Sequence, residues 1–199
     1  MLYLNSLFSV SNVKKPYTLA SLAAILNSRI YSACYERFAN RLFGDKFPKV
    51  SKMDLARLPL PSLQKKDVIS LEEHAQNLQK LWSTLRASMV SFREDCNAVS
   101  DDEKLWEALK GFWILDRETV AQAQIAIDNS RSSVERRAFL EDWQAARSSV
   151  QTIWSNICES EEQVEEIIRK ALAISPEVYE QLLVRVPKIR IEDALLPSM

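Results

Sequence analysis

Glycine is nearly missing from this chain: 199 residues contain two, Gly44 and Gly111. That excludes a Gly-rich loop bringing backbone N–H groups against a phosphate or an adenosyl cofactor, and it favours long helices over many short strands. Histidine occurs once, as His74, which leaves no Ser-His-Asp or Cys-His arrangement for nucleophilic catalysis. Beside Leu71 and Ala75 it reads as a surface residue. The three cysteines, Cys34, Cys96 and Cys158, are widely spaced without a CxxC pair. They read as buried, reduced thiols of a cytoplasmic protein, and no Cys and His cluster exists to hold zinc. No run approaches the roughly 18 apolar residues that a membrane span needs. Met1 to Val10 is apolar but short and has no leading positive cluster, so a signal peptide is not expected. A soluble protein without metal or cofactor is the expectation.

What is present is an uneven distribution of charge. The formal net charge is -1, yet residues 1–66 carry eleven Lys and Arg against three Asp and Glu, while residues 67–199 carry fifteen against twenty-four. A division into a basic piece, 1–66, and an acidic piece, 67–199, follows. Clustered Lys and Arg gain from counterion release at phosphates, so the first piece is expected to face a polyanion and the second protein or water. Attraction between the two pieces within the fold is the other reading of the same asymmetry. Hydrophobic residues make up 47% of the chain, enough for a real core.

The expected class is mainly α: a small α+β piece with short strands, then long antiparallel helices resembling a bundle or coiled coil. Leu2 to Val10 alternates loosely and reads as a short strand. Thr18 can cap a helix of about 25 residues, with Leu19, Leu22, Leu26, Ile30 and Ala33 as one stripe and Gly44 as its stop. From Leu71 the pattern becomes a heptad seam through Ala75, Leu78, Trp82, Leu85, Met89, Phe92, Cys96 and Val99. Ser100 to Glu103 has the form of a capping box opening a helix with Leu105, Trp106, Leu109 and Trp113. A second seam runs through Phe139, Trp143, Ala146, Val150, Ile153 and Ile157. Folding one seam onto the other would bury Trp82 and Trp143. Ser160 to Gln163 reads as a further capping box and Ser175-Pro176 as a cap with proline at the first helical position, giving a tail of two short helices. Val186 to Met199 is expected to be extended or loosely attached.

Between the first helix and the first seam lies Asp45-Lys-Phe-Pro-Lys-Val-Ser-Lys-Met-Asp-Leu-Ala-Arg-Leu-Pro-Leu-Pro61. Lys46, Lys49, Lys52 and Arg57 alternate with Phe47, Val50, Met53 and Leu55, and Pro48, Pro59 and Pro61 enforce extended backbone. Ser51 can cap a single turn from Lys52 to Arg57. The result is a compact basic surface on a small apolar underside, in which Arg41, Lys46, Lys49, Lys52 and Arg57 are the candidate phosphate contacts, lysines that only solvate a loop being the other reading. Acidic residues offer no comparable site. Asp102-Glu103-Lys104 sits at a helix start, and Glu161-Glu162 with Glu165-Glu166 read as a solvated face favoured by a helix dipole. No catalytic residue is assigned.

Three blocks in order, Leu2-Tyr-Leu-Asn-Ser-Leu-Phe-Ser-Val10, Tyr17-Thr-Leu-Ala-Ser-Leu-Ala-Ala-Ile-Leu-Asn-Ser-Arg-Ile30 and Phe47 to Pro61, resemble the TaqI-like C-terminal specificity domain of restriction-modification enzymes. Val164-Glu-Glu-Ile-Ile through Ile174-Ser-Pro-Glu-Val-Tyr179 is similar to the helical ending of such polypeptides. In that family an adenine-specific DNA methyltransferase, sometimes fused to a nuclease, is followed by a target-recognition domain and a helical spacer. The resemblance covers residues 1–63 well and the remainder loosely. It implies a DNA-specificity or accessory subunit that positions a methyltransferase or restriction subunit in trans, and a C-terminal fragment or split-gene product without the catalytic domain. The Asn/Asp-Pro-Pro-aromatic motif of methyl transfer is missing, and the chain has no Pro-Pro pair. Independent enzymatic activity is therefore not expected. A reading from a different class is a helical adaptor or homo-oligomer built through the seams, with no DNA binding.

Overall fold

The computed structural model describes residues 13–39, 58–99, 104–184 and 186. These residues form seven helices and no strand: α1 (Leu19–Asn27), α2 (Arg29–Ala39), α3 (Lys65–Val99), α4 (Lys104–Leu109), α5 (Arg117–Ile127), α6 (Ser133–Ala171) and α7 (Pro176–Leu183). The mainly α class holds. The strand expected over Leu2 to Val10, the Gly44 stop, the Ser100 to Glu103 box and the tail beyond Val186 lie outside the described residues. No helix among the described residues is long and apolar enough to cross a membrane.

Contacts divide the chain into two compact units, Met1–Leu78 with Glu159–Lys188, and Gln79–Cys158 with Ile189–Met199. Helices α3 and α6 contribute a segment to each. In the first unit Ala24, Ile25, Ile30 and Tyr31 pack with Leu58, Leu63, Val68, Leu71, Val164 and Ile168. Leu63 and Val68, on either side of the charge boundary at residue 66, share this one core.

The first helix departs from expectation at Ser28. Its backbone is extended there (φ -68, ψ 154), so the stretch expected as one helix is two. Thr18 caps α1 through a capping box with Ser21, as its position suggests. In α1 the buried residues are Ser21, Ala24 and Ile25, and Leu19, placed on the expected stripe, is 59% exposed.

In the second unit the seams meet as their spacing requires. Trp82 packs edge-on against Trp154 at 5.9 Å between ring centroids, and Phe92 against Phe139 at 6.0 Å. Moving forward along α3 means moving backward along α6, so these segments are antiparallel. Leu85, Phe92, Cys96, Phe139, Trp143, Val150, Ile153 and Ile157 are buried. The turn after α4 lies against α6, where three side chains at helical spacing supply donors: Trp143 Nε1 to the Phe112 carbonyl at 3.0 Å, and Arg147 Nε and Gln151 Nε2 to the Trp113 carbonyl at 3.3 and 3.0 Å. Carbonyls left without helical partners past the end of α4 are thereby satisfied. Asp116 caps α5 by accepting from the Thr119 N–H at 2.7 Å.

One residue in this core is out of keeping with it. Gln124 on α5 is 1% exposed, and neither atom of its amide has a hydrogen-bond partner. A buried amide without partners costs about 1–3 kcal/mol. Gln124→Met keeps the length and removes the polar atoms, so the urea midpoint should rise by the equivalent of about 1 kcal/mol. A lowered midpoint would show that the amide contributes favourably.

The tail also differs from expectation. Helix α6 runs unbroken from Ser133 to Ala171, through the serine expected to open a new helix. Ser160 is buried, and its hydroxyl meets Nδ1 of His74 at 3.2 Å instead of turning back to cap its own chain. Helix α6 stops at a left-handed residue, Ala173 (φ 52), with Ile174 N–H bonding back to the Arg169 carbonyl at 3.0 Å. Ser175 then caps α7, with Pro176 at its start as the sequence suggests.

Candidate nucleic-acid interface

The five candidate residues Arg41, Lys46, Lys49, Lys52 and Arg57 lie outside the described residues. What is described is how the chain is held on both sides of them. Helix α2 ends at Ala39 and leads directly into the basic segment. On the far side Leu58 is buried, the Pro59 carbonyl accepts from the Tyr31 hydroxyl, and the Pro61 carbonyl accepts from the Tyr17 hydroxyl at 2.5 Å. Prolines lack an N–H, but their carbonyls remain acceptors, and here two of them tie the exit of the segment to Tyr17 just before α1 and to Tyr31 on α2. Burial pushes the phenols of Tyr17 and Tyr31 upward, so both donate as neutral hydroxyls.

The start of α2 is secured by an unusual set of acceptors. Three N–H groups precede the first intrahelical bond, which runs from Ser32 N–H to the Ser28 carbonyl at 3.0 Å. Tyr31 N–H donates to the Ser28 hydroxyl at 3.2 Å, a local cap. Arg29 N–H and Ile30 N–H donate to the two carboxylate oxygens of Glu165 on α6, the second at 3.3 Å. All three otherwise orphaned donors thus find acceptors. The Arg29 guanidinium in turn donates to the Val186 carbonyl through Nε at 3.2 Å and Nη2 at 2.9 Å.

Glu165 is therefore not part of a solvated face. It is 5% exposed, while Glu162 on the same helix is exposed and Glu166 pairs with Arg169 and Lys170. Hydrogen bonds from Arg169 and then Lys170 hold the Glu166 carboxyl down at about 2. At Glu165 the balance is reversed: burial raises the carboxyl above its ordinary range, and the Arg29 and Ile30 N–H groups and the Arg29 charge pull it back only in part. A folded-state value above the unfolded one means that the folded protein holds the extra proton in the window between them. Stability from this group is complete below the ordinary glutamate range of about 4.3 and is lost as pH rises through the raised folded value. Glu165→Gln, fixed in the neutral form, should therefore gain stability relative to wild type as pH rises over that window. Urea unfolding across pH tests this; a variant that loses ground as pH rises would show that the hydrogen bonds outweigh burial.

His74, expected at the surface, is half-buried beside Ser160. An open groove of about 430 Å³ lies there, between Ser70 and His74 on α3 and Glu159, Glu162, Gln163 and Glu166 on α6. Its carboxylates give it the same sign as nucleic acid, so it does not extend the candidate interface. Cys96 is buried, whereas Cys34 and Cys158 are only half-buried, and none of the three is in a disulfide. Burial, with the Asp95 charge beside it, pushes the Cys96 thiol up to about 12 and makes it a poor nucleophile. Among the described residues no group of three His, Cys, Asp or Glu is placed to hold a metal ion. Comparison of the chain with protein-family models, with curated proteins and with solved structures yields no match.

The sequence pattern did not reveal Glu165 as a structural residue. The signal available was its place directly after Val164, on the border of the stripe Ile157, Ser160, Val164 and Ile168, where a long side chain is drawn towards the core.

Proposed function

We propose that this chain is a DNA-binding specificity or accessory module of a restriction-modification or related phage-defence system, acting in the cytoplasm and positioning a methyltransferase or nuclease in trans. Arg41, Lys46, Lys49, Lys52 and Arg57 contact phosphates of double-stranded DNA, which sets position and leaves base reading to other contacts. The expected strand over Leu2 to Val10 belongs to the same basic piece, and the acidic helices serve as spacer or docking surface. The observation that best supports this reading is the fastening of both ends of the basic segment, at Ala39 through α2 and at Pro59 and Pro61 through Tyr31 and Tyr17. A segment closed in this way gives up less conformational entropy on binding than a free chain, so its cations are more effective at a phosphate array. The resemblance of the ordered blocks to TaqI-like specificity domains points to the same partner.

Duplex DNA binding followed by fluorescence anisotropy across a salt series tests the proposal. Binding that weakens steeply with salt is the expected result, and no binding at low salt would remove it. A second reading, a helical adaptor, is favoured by one observation: Val90 and Val134, on the two long helices, are 56% and 75% exposed. Salt-resistant self-association in sedimentation, with no DNA binding, would select it.

A further inference from the structure

We propose that Lys14, Lys15, Lys65 and Lys66 form a phosphate-contacting surface for duplex DNA, built where the first unit brings together two lysine pairs that are far apart in sequence. The inference rests on the DNA-binding reading above and adds four contacts that lie among the described residues. All four side chains are exposed. The first pair stands in the turn before α1, where Tyr17 N–H donates to the Lys14 carbonyl at 3.2 Å. The second pair opens α3. What joins them is the Tyr17 hydroxyl, which donates to the Pro61 carbonyl at 2.5 Å across 44 positions of sequence. Lys15 is two residues before Tyr17 and Lys65 four residues after Pro61, so both pairs are anchored to one hydrogen bond. Those connections amount to at most about 22 Å of extended chain. With the tyrosine side chain between them, the two pairs stand within roughly one turn of B-DNA, about 34 Å.

The chain around the two pairs suits a polyanion. Residues 13–18 and 58–70 hold four lysines and one acid, Asp67. The Asp67 carboxylate accepts from the Gln64 N–H at 3.0 Å, at the start of its own helix. Among the described residues none of the four lysines is in an ion pair, so no protein partner has to be given up before a phosphate is met. In the connection that leads into α3 burial alternates: Pro61 and Leu63 are buried, while Ser62 and Gln64 are exposed. These two neutral side chains offer donors to phosphate oxygens beside the charged pairs. Leu63 and Val68 pack in one core with Ala24 and Ile25, and the Thr18 capping box fixes the start of α1. The backbone beneath both pairs is thus held by the same core, which lowers the ordering that binding requires. The surface is bounded one turn beyond Lys66 by Ser70, which already lines the carboxylate-bearing groove.

The test uses the full chain as wild type, as two double variants, Lys14→Gln with Lys15→Gln and Lys65→Gln with Lys66→Gln, and as a variant with all four lysines changed to arginine. Glutamine removes the charge at nearly the helix propensity of lysine, and the sites are exposed, so circular dichroism should be unchanged. Each protein is titrated by fluorescence anisotropy against a fluorescein-labelled duplex of roughly 20 base pairs, two helical turns, across a salt series. Each double variant should flatten the slope of log K against log salt by about 1.8 and lower affinity at about 0.1 M salt between tenfold and a hundredfold. The arginine variant, which keeps the charges, should keep the slope. If a double variant does not fold, Lys15→Gln or Lys65→Gln takes its place, with an expected flattening of about 0.9. Wild-type binding with a slope unchanged in either double variant would overturn the inference and leave the DNA-binding reading standing. If wild type binds no duplex at low salt, that reading fails and the inference falls with it.

Discussion

Duplex DNA binding by the triple variant Lys46→Glu, Lys49→Glu, Lys52→Glu should fall on the order of a hundredfold at about 0.1 M salt, with the helical signal retained. The salt slope carries more information than the affinity. Each phosphate neutralised on B-DNA contributes about 0.9 to the slope of log K against log salt, so losing three contacts should flatten it by about 2.7. Reversing the charges adds repulsion, which lowers affinity further without adding to the count of contacts. The fold should tolerate the change, because the described attachments beside the segment reside in Tyr17, Tyr31, Pro59 and Pro61 and not in the lysines. An unchanged slope would remove these lysines from the interface. Loss of the helical signal together with binding would instead place them in the folded core.

Trp143→Ala should lower the unfolding free energy by about 3–5 kcal/mol, the range for deleting a large aromatic from a packed core. Trp143 is fully buried, and its indole N–H donates to the Phe112 carbonyl at 3.0 Å. The Arg147 guanidinium lies over its ring at 5.4 Å, and Arg147 also donates to the Trp113 carbonyl. The alanine variant therefore loses ring packing, leaves a cavity and unpairs a buried carbonyl. Trp143→Phe restores most of the bulk but not the donor, so a cost of about 1–3 kcal/mol should remain. Urea unfolding read by circular dichroism separates these contributions. A cost below about 1 kcal/mol for Trp143→Ala would mean that the ring is not tightly packed.

The two seams were legible because each reports only on its own helix. Leu71, Leu85, Phe92 and Cys96 on one, and Phe139, Trp143, Val150, Ile153 and Ile157 on the other, are buried, whereas Ala75, Leu78, Met89, Ala146 and Trp82, whose burial was expected, are only half-buried. Thr18 and Ser175 were legible as caps for the same reason, since each accepts from an N–H three residues on. Ser160 shows where this kind of signal stops. Its neighbours fit a capping box as well as those of Ser132, whose hydroxyl does exchange hydrogen bonds with Glu135 at the start of α6. Only Ser160 faces a histidine across the core.

The amino-acid sequence by itself determined the helical class, the buried faces of the long helices, the local caps and the concentration of positive charge before residue 66. These follow from interactions within about one helical turn or from composition, which any fold of the chain would retain. Tertiary structure decided the continuity of α6 through Ser160, the burial of Glu165 and the closure of the turn after α4 by Trp143, Arg147 and Gln151. Each depends on a donor and an acceptor at least 31 residues apart. Local preferences differ by about 1 kcal/mol or less, while a buried N–H or carbonyl without a partner costs about 1–3 kcal/mol. The helix ends and the buried carboxylate therefore follow the distant partner, which becomes visible only once the chain has folded.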